Sequence, residues 1–391
     1  TSVINMSVLN FFLVLFVLIL VHELGHFLVA KKTGMRVDEF GIGFPPRLFG
    51  IKKGETDYTF NALPIGGFVK IFGEDGASAP SSPVTTEGSD RRSEASAEAG
   101  EGGTRSDLGR AFASKSKLAQ AAVLIAGVTM NVLFAWILFV VVLMAGVPTS
   151  VDEANATDSA RLIVTEVVEE SPAALAGIPL GSVITGLTSG VDRDQILYPS
   201  SFSAFVEDHG DVSLSVTYVS NGETHTVEVL PASGLDSEDS ERALVGVALS
   251  LVDTVSMSAP QAVVTATERT GRTLAAITVG LGSLIVDSFL FRADLSSVAG
   301  PIGIVGLVGD AAQFGFTTLL TFTAVISLNL AVINMLPFPA LDGGRLVMVG
   351  IESVIRRPIN PVWVGRVNLV GFALLILLMV AVTFSDVAKI L

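Results

Sequence analysis

The stretch Val21-His22-Glu23-Leu24-Gly25-His26 decides how the rest of the chain is read. It closes an apolar run that begins near Val8, with Asn10–Leu20 reading NFFLVLFVLIL and Phe27–Ala30 continuing it. No Pro or Gly interrupts the run before Gly25, so the spacing predicts a helix. On a helix, His22 and His26 lie one turn apart on one face. Two imidazoles so placed can share one tetrahedral zinc ion, with Glu23 beside them to act on a water. A bare HExxH arises by chance on many solvated helices. Here three ionisable groups stand in or at the edge of a membrane-length apolar helix, where such groups are costly and mark function.

Composition sets the class. The 391 residues are 50% hydrophobic and 16% charged, and the mean hydropathy is +0.64. That is the profile of an integral membrane protein carrying a soluble part. There is no Cys, so zinc ligands must be His and carboxylate and no disulfide is available. A net charge of −14 argues against nucleic acid as a partner. The N-terminal run has no basic leader and no A-x-A-like site, so it is read as a mature transmembrane helix over residues 1–32.

Residues 33–76 alternate and turn, punctuated by Gly41, Gly43, Gly54, Gly66, Gly67, Pro45, Pro46 and Pro64, and predict several short β-strands near the site. Residues 77–109 are rich in Ser, Ala, Gly and Glu and carry too little apolar surface to order themselves; they read as a disordered insert. A second span is expected within 110–147 and contains Asn131, an amide that needs a partner at membrane depth. Residues 148–260 are soluble in character. Ser171–Gly177 reads as a short capped helix, Ser201–His209 as another, and Val212–Val219 and His225–Leu230 as strands around Asn221-Gly222. This element order resembles a circularly permuted bacterial PDZ domain. Residues 261–312 read as a membrane-associated amphipathic helix and loop. The third span, 313–345, ends in Asn334-Met335-Leu336-Pro337-Phe338-Pro339-Ala340-Leu341-Asp342-Gly343-Gly344-Arg345, and the fourth lies within 346–391.

Thirteen Lys and Arg fall between Lys31 and Lys117, and three (Arg161, Arg193, Arg242) between Pro148 and Pro260. Positive loops stay cytoplasmic, so both termini and the PDZ-like segment are expected outside, with the HExxH toward the cytoplasm. Two His leave zinc one protein ligand short. His209 and His225 fall in the soluble segment, which leaves Asp342, in a Pro- and Gly-broken stretch, as the best candidate.

The chain resembles the site-2 protease family of intramembrane zinc metalloproteases, in its bacterial regulator-of-sigma-E protease branch. HELGHFLVAKKTGMRVDEFGIGFPP, SVAGPIGIVG and SLNLAVINMLPFPALDGGR carry the resemblance. It implies a polytopic α-helical membrane protein with four transmembrane helices, a membrane-associated β-loop and one extracytoplasmic PDZ-like α+β domain, in a bacterial inner membrane. It implies one Zn2+ held by His22, His26 and Asp342, with Glu23 as catalytic acid/base and Asn334 near the substrate. Gly127 and Asn131 match a family Gly-Pro-x-x-Asn motif in which Val128 replaces the Pro, which makes Asn131 a candidate substrate contact. Gly41, Gly43, Gly66 and Gly67 fall in a segment that matches the family's reentrant β-loop, which offers strand edges to an unwound substrate. The implied substrates are transmembrane segments of pre-shortened single-span proteins, such as anti-sigma factors or signal-peptide remnants, and the bilayer is the implied environment. A non-catalytic scaffold with a vestigial HExxH is the competing reading, disfavoured because all four chemical residues are present. A zinc transporter is disfavoured because acidic residues do not recur through the spans.

Overall fold

The computed structural model describes residues 2–74, 108–190, 192–194, 198–220, 222–233, 242–290, 292 and 299–390. The insert predicted at 77–109 falls outside them up to residue 107, as do Asn221 and the start of SVAGPIGIVG. The chain divides into two compact units, Thr1–Val142 with Ala259–Leu391, and Leu143–Ser258.

The first unit is built on helices. α1 is Ser2–Lys32 and α2 is Lys117–Ala145. After the second unit come α5 (Ala259–Phe289), α6 (Pro301–Gln313), α7 (Phe316–Asn334), α8 (Asp342–Ile355) and α9 (Pro361–Ile390). Among the described residues four stretches are long and apolar enough to cross a membrane: Met6–Lys32, Lys117–Ala145, Phe316–Asn334 and Pro361–Lys389. They correspond to the four expected spans. The expected segments 313–345 and 346–391 leave no separate helix between the third and fourth spans, yet α8 stands there. Its apolar residues recur at helical spacing behind Asp342, and Gly343, Gly344 and Val349 are buried.

α6 packs on α1, α7 and α9. Its N-terminus is capped from another helix: the Gly300 and Gly303 N–H groups donate to the Asp386 carboxylate of α9 at 3.1 and 2.9 Å. Asp386 is buried and carries the cap that Gly300 has no side chain to supply. Sequence reading of the fourth span gave this carboxylate no role.

Between α1 and α2 lie β1 (Val37–Lys53) and β2 (Thr56–Ile71). Each doubles back on itself. Val37–Phe44 pairs antiparallel with Leu63–Ile71, and Arg47–Lys53 pairs antiparallel with Thr56–Asn61. Asp57–Phe60 also lies beside Glu39–Ile42, with both numbers rising together. Four short runs therefore make one small sheet. Its outer tip exposes Leu48, Phe49, Ile51 and Leu63, and Phe49 stacks on Phe60 with centroids 5.0 Å apart. Its base joins the helices through Met35, Val37 and Ile71, buried with Ala30, Phe112, Val123 and Leu124.

Glu55, in the turn between β1 and β2, ties this sheet down. Its carboxylate accepts from Lys31 at 2.7 Å and from both Arg110 nitrogens at 2.6 and 2.7 Å. Arg110 first, then Lys31, holds the Glu55 carboxyl down at about 2. A depressed carboxylate stabilises the fold above its ordinary pKa of 4.5, and that contribution fades as pH falls through about 2. Glu55→Gln is therefore expected to melt below wild type at pH 6, with the gap closing toward pH 2. A gap that is constant with pH across that range, read by thermal unfolding, overturns the assignment.

The second unit is α+β, built on one antiparallel sheet of seven strands among the described residues. Its strands are β3 (Val147–Ser150), β4 (Arg161–Val167), β5 (Val183–Ser189), β6 (Asp192–Asp194), β7 (Leu214–Ser220), β8 (Glu223–Val229) and β9 (Val247–Val255). They run in the order β3-β9-β4-β5-β7-β8, with β6 on β5. Helices α3 (Pro172–Leu175) and α4 (Pro199–Asp208) complete it. α3 starts on a Ser171 cap, whose Oγ accepts from the Ala174 N–H, and ends before Gly177, whose φ of 74° suits the left-handed turn. Inward residues at period two, such as Leu162 and Val164, and Leu214, Val216 and Tyr218, meet Phe202 and Val206 of α4, joined by Ile184 and Leu187, which a register shift in β5 sets three apart. Each fully buried aliphatic contributes about 1.5–3 kcal/mol.

Candidate metal centre

α1 and α2 cross closely because α1 carries Gly25. A Cβ there would lie 2.4 Å from the Ala126 carbonyl oxygen. The close crossing sets one stripe of α2, namely Val123, Gly127 and Asn131, against His22 and His26. The spacing of four along α2 matches the spacing of four along α1.

Each member of the stripe does something different. The Val123 carbonyl lies 2.8 Å from His26 Nδ1. A carbonyl only accepts, so Nδ1 carries the proton and, in the neutral ring, Nε2 is a bare lone pair. Gly127 supplies clearance: a Cβ on it would sit 2.4 Å from His26 Nε2 and 2.8 Å from His22 Cε1 and Nε2. Asn131 is buried, with Nδ2 3.2 Å from His22 Nδ1.

Asp342 arrives from the other side, at the first position of α8. The loop before it is held by its own backbone and by α9. Ala340 adopts φ 72°, and Gly371 of α9 leaves room for Pro339. His22 Nε2 is 3.0 Å from Asp342 Oδ2, His26 Nε2 is 3.4 Å from the same oxygen, and the two His nitrogens are 3.1 Å apart. Three atoms that can each offer a lone pair thus converge, and a cation can serve all three at once. Donor separations near 3.3 Å are the edges of a tetrahedron with arms of about 2.0–2.1 Å, the zinc–imidazole distance. Two imidazoles and one carboxylate fit zinc, and among the described residues this is the one group of His and carboxylates so placed.

The cluster lies between two cavities. One, of about 380 Å³, is bounded by Glu23 and the Phe68–Ile71 run of β2. The other, of about 230 Å³, is bounded by Glu23, Leu330 and Asn334. Asn334, the last residue of α7, therefore lines this cavity together with Glu23 and Asp342. Asn131 borders neither cavity. Of the four glycines, Gly67 lies nearest the chemistry: a Cβ there would be 3.7 Å from Glu23 Cγ and 3.0 Å from the Gly41 carbonyl. Gly41 makes room for the Phe68 ring. Gly43 has φ 81° and accepts through its carbonyl from the buried Asn61 amide at 3.0 Å, and Gly66 has φ 104°. These three shape the strand rather than border Glu23. Arg345 is a further residue at this site without a signal in the sequence. Arg345, on the first turn of α8, donates to the carboxylate of Glu74, just beyond β2, and to the Glu74 carbonyl at 3.2 Å.

The profile of peptidase family M50 matches residues 10–378. The chain belongs to the M50 family of peptidases. A Clostridium perfringens relative of this M50 peptidase is 33% identical over 373 residues, covering 95% of each chain. Zinc metalloprotease RasP of Oceanobacillus iheyensis is 30% identical, covering 98% of this chain and 99% of its own. The regulator of sigma-W protease RasP of Bacillus subtilis is 26% identical, covering 98% of both. Among solved structures, the PDZ domain of an SdrC-like protein from Listeria monocytogenes aligns at 16% identity over 24% of this chain and 92% of its own, with a TM-score of 0.20. At that score the likeness is too slight to argue from. This M50 peptidase is a zinc metalloprotease and a multi-pass membrane protein.

Proposed function

We propose that this M50 peptidase cleaves the transmembrane segments of single-span proteins already shortened by an earlier cut, with anti-sigma factors and signal-peptide remnants as the substrate class. The observation that carries the reading is the convergence of His22, His26 and Asp342 beside Glu23 on a membrane-length helix. His22, His26 and Asp342 are the zinc ligands. When bound, zinc supplies Lewis-acid activation of a water and of the scissile carbonyl. Glu23 takes the proton of the attacking water and delivers it to the leaving amine nitrogen, so one water adds across one broken C–N bond. Asn334 donates to the carbonyl oxygen as negative charge develops on it.

A helical substrate hides its carbonyls in its own hydrogen bonds and must unwind first. Among the described residues, the Leu63–Ile71 run has one strand partner, and its Phe68–Ile71 part lines the cavity that Glu23 also borders. Strand addition at that edge replaces the hydrogen bonds lost on unwinding. Gly67 lets the edge approach Glu23 closely.

The test uses purified full-length protein and a single-span reporter. Wild type is expected to cleave it, and Glu23→Gln to keep its zinc while slowing by about 10²–10⁴-fold, the usual worth of a general acid–base. A zinc-loaded Glu23→Gln protein that cleaves at the wild-type rate removes Glu23 from the chemistry.

The charge asymmetry of the loops supports a bacterial inner-membrane protein with both termini and the second unit outside and the zinc site toward the cytoplasm. The second unit then acts as a PDZ-like filter that excludes substrates with large ectodomains. Deleting about Ser150 to Asp253 should allow cleavage of substrates with intact ectodomains, while pre-shortened ones are still cut. If the zinc-loaded deletion loses the pre-shortened substrates, the unit is a receptor and not a filter.

A further inference from the structure

Asn131 lies within hydrogen-bond distance of a proposed ligand, yet outside both cavities. It is 0% exposed, Nδ2 is 3.2 Å from His22 Nδ1, and Oδ1 has no hydrogen-bond partner among the described residues. The oxygen and nitrogen of a side-chain amide are isosteric, and which is which follows from their partners. Among the described residues no other hydrogen bond fixes this side-chain amide, so the imidazole decides it. Were Nδ2 to donate to Nδ1, the neutral ring would carry its proton on Nε2, the atom 3.0 Å from Asp342 Oδ2 and 3.1 Å from His26 Nε2. That ring could not offer Nε2 to a metal. Turned the other way, Oδ1 accepts from Nδ1–H and Nε2 presents its lone pair to the cluster.

We propose that Asn131 is a positioning residue for the zinc site: its amide oxygen accepts from His22 Nδ1–H and fixes the tautomer that leaves Nε2 free. The proposal rests on His22 being a ligand, as read above. It gives α2 one task performed twice, because Val123 does for His26 with a backbone carbonyl what Asn131 does for His22 with a side chain. The backbone of Asn131 is itself held, since the buried Ser327 hydroxyl of α7 donates to its carbonyl at 2.8 Å. Outer partners of this kind change metal affinity by about 10–100-fold when removed. A substrate contact would leave affinity for free metal unchanged.

The test is competition for zinc against a chromophoric chelator, on full-length protein in detergent, with the apo forms melted in parallel as a folding control. Asn131→Ala is expected to weaken zinc binding by about 10–100-fold. Asn131→Asp keeps the accepting oxygen and is expected to stay near wild type. Asn131→Ala with wild-type zinc affinity but impaired cleavage overturns the proposal and makes Asn131 a substrate contact. Asn131→Asp as weak as Asn131→Ala, with both apo proteins melting like wild type, overturns it too, since the accepting oxygen is then not what matters. Wild-type affinity in His22→Ala would instead strike the ligand reading itself, so the two failures are distinguishable.

Discussion

Gly127→Ala is expected to leave a folded protein with almost no bound zinc and no proteolysis. The added Cβ would lie 2.4 Å from His26 Nε2, whereas ordinary contact begins at 3.4 Å. Relief requires about 1 Å of movement, and the neighbours resist it. The His26 ring is held at its far side by Val123 of the same helix, so α2 cannot withdraw without releasing His26. α1 cannot rotate away while Gly25 is closed against Ala126. The methyl group therefore falls where both donor nitrogens converge. Its effect on zinc should reach or pass the upper end, about 100-fold, of what loss of an outer partner does. Gly350→Ala is the control. It is a helical glycine of α8 with nothing within 4 Å of its Cβ, and alanine is favoured there by about 0.5–1 kcal/mol. Zinc content by metal analysis and cleavage of a reporter read both variants. Stoichiometric, active zinc in Gly127→Ala would falsify the view that this glycine exists for clearance.

The HExxH helix was legible because its signal is local: apolar length and a spacing of four suffice to place two imidazoles on one face. Asp342 was legible for a different reason. Without Cys, and with His209 and His225 in the soluble segment, few ligands remained, and a Pro- and Gly-broken stretch at membrane depth needed an explanation. What the sequence hid is the pairing between distant segments. Asn131 stood out as an amide in a span, but nothing local says that it meets His22, 109 residues away. Val123 left no trace at all, because it acts through its backbone carbonyl. Asp386 was invisible for the same reason in reverse: the groups it caps, Gly300 and Gly303, are bare backbone. The double folding of β1 and β2 was seen only as a cluster of strand-like runs, since strand partners depend on register that alternation does not fix. In the second unit the alternating strands and the Ser171 cap were readable, whereas β9 was missed; its run, VALSLVDTV, is separated by only five residues from an acidic, Ser-rich segment that reads as a surface loop.

Asp342→Ala is expected to show the second large effect: zinc lost at micromolar metal and proteolysis at background, in a protein whose apo form melts like wild-type apo. The unusual part of that expectation is the intact fold, and it follows from how α8 begins. A Cβ on Gly343 would lie 2.3 Å from the Met335 and Leu336 carbonyl oxygens, and one on Gly344 would lie 2.1 Å from the Phe338 oxygen. The first turn of α8 is thus pressed onto the loop before it by backbone contacts that do not involve the Asp342 side chain. Arg345 adds a further tie one turn on, through Glu74 and over the Phe112 ring at 5.9 Å. Removing the carboxylate therefore removes a charge from a place that stays where it is. Two imidazoles then remain where three donors stood, and the single carboxylate oxygen that both of them approach is gone. Asp342→Asn refines the test, because an amide keeps the size but offers zinc only a weak neutral oxygen. It should recover part of the zinc at high metal and little of the cleavage. Should Asp342→Ala hold zinc as tightly as wild type, the third ligand must come from elsewhere, and the convergence of α1 and α8 would be a packing contact with no part in binding the metal.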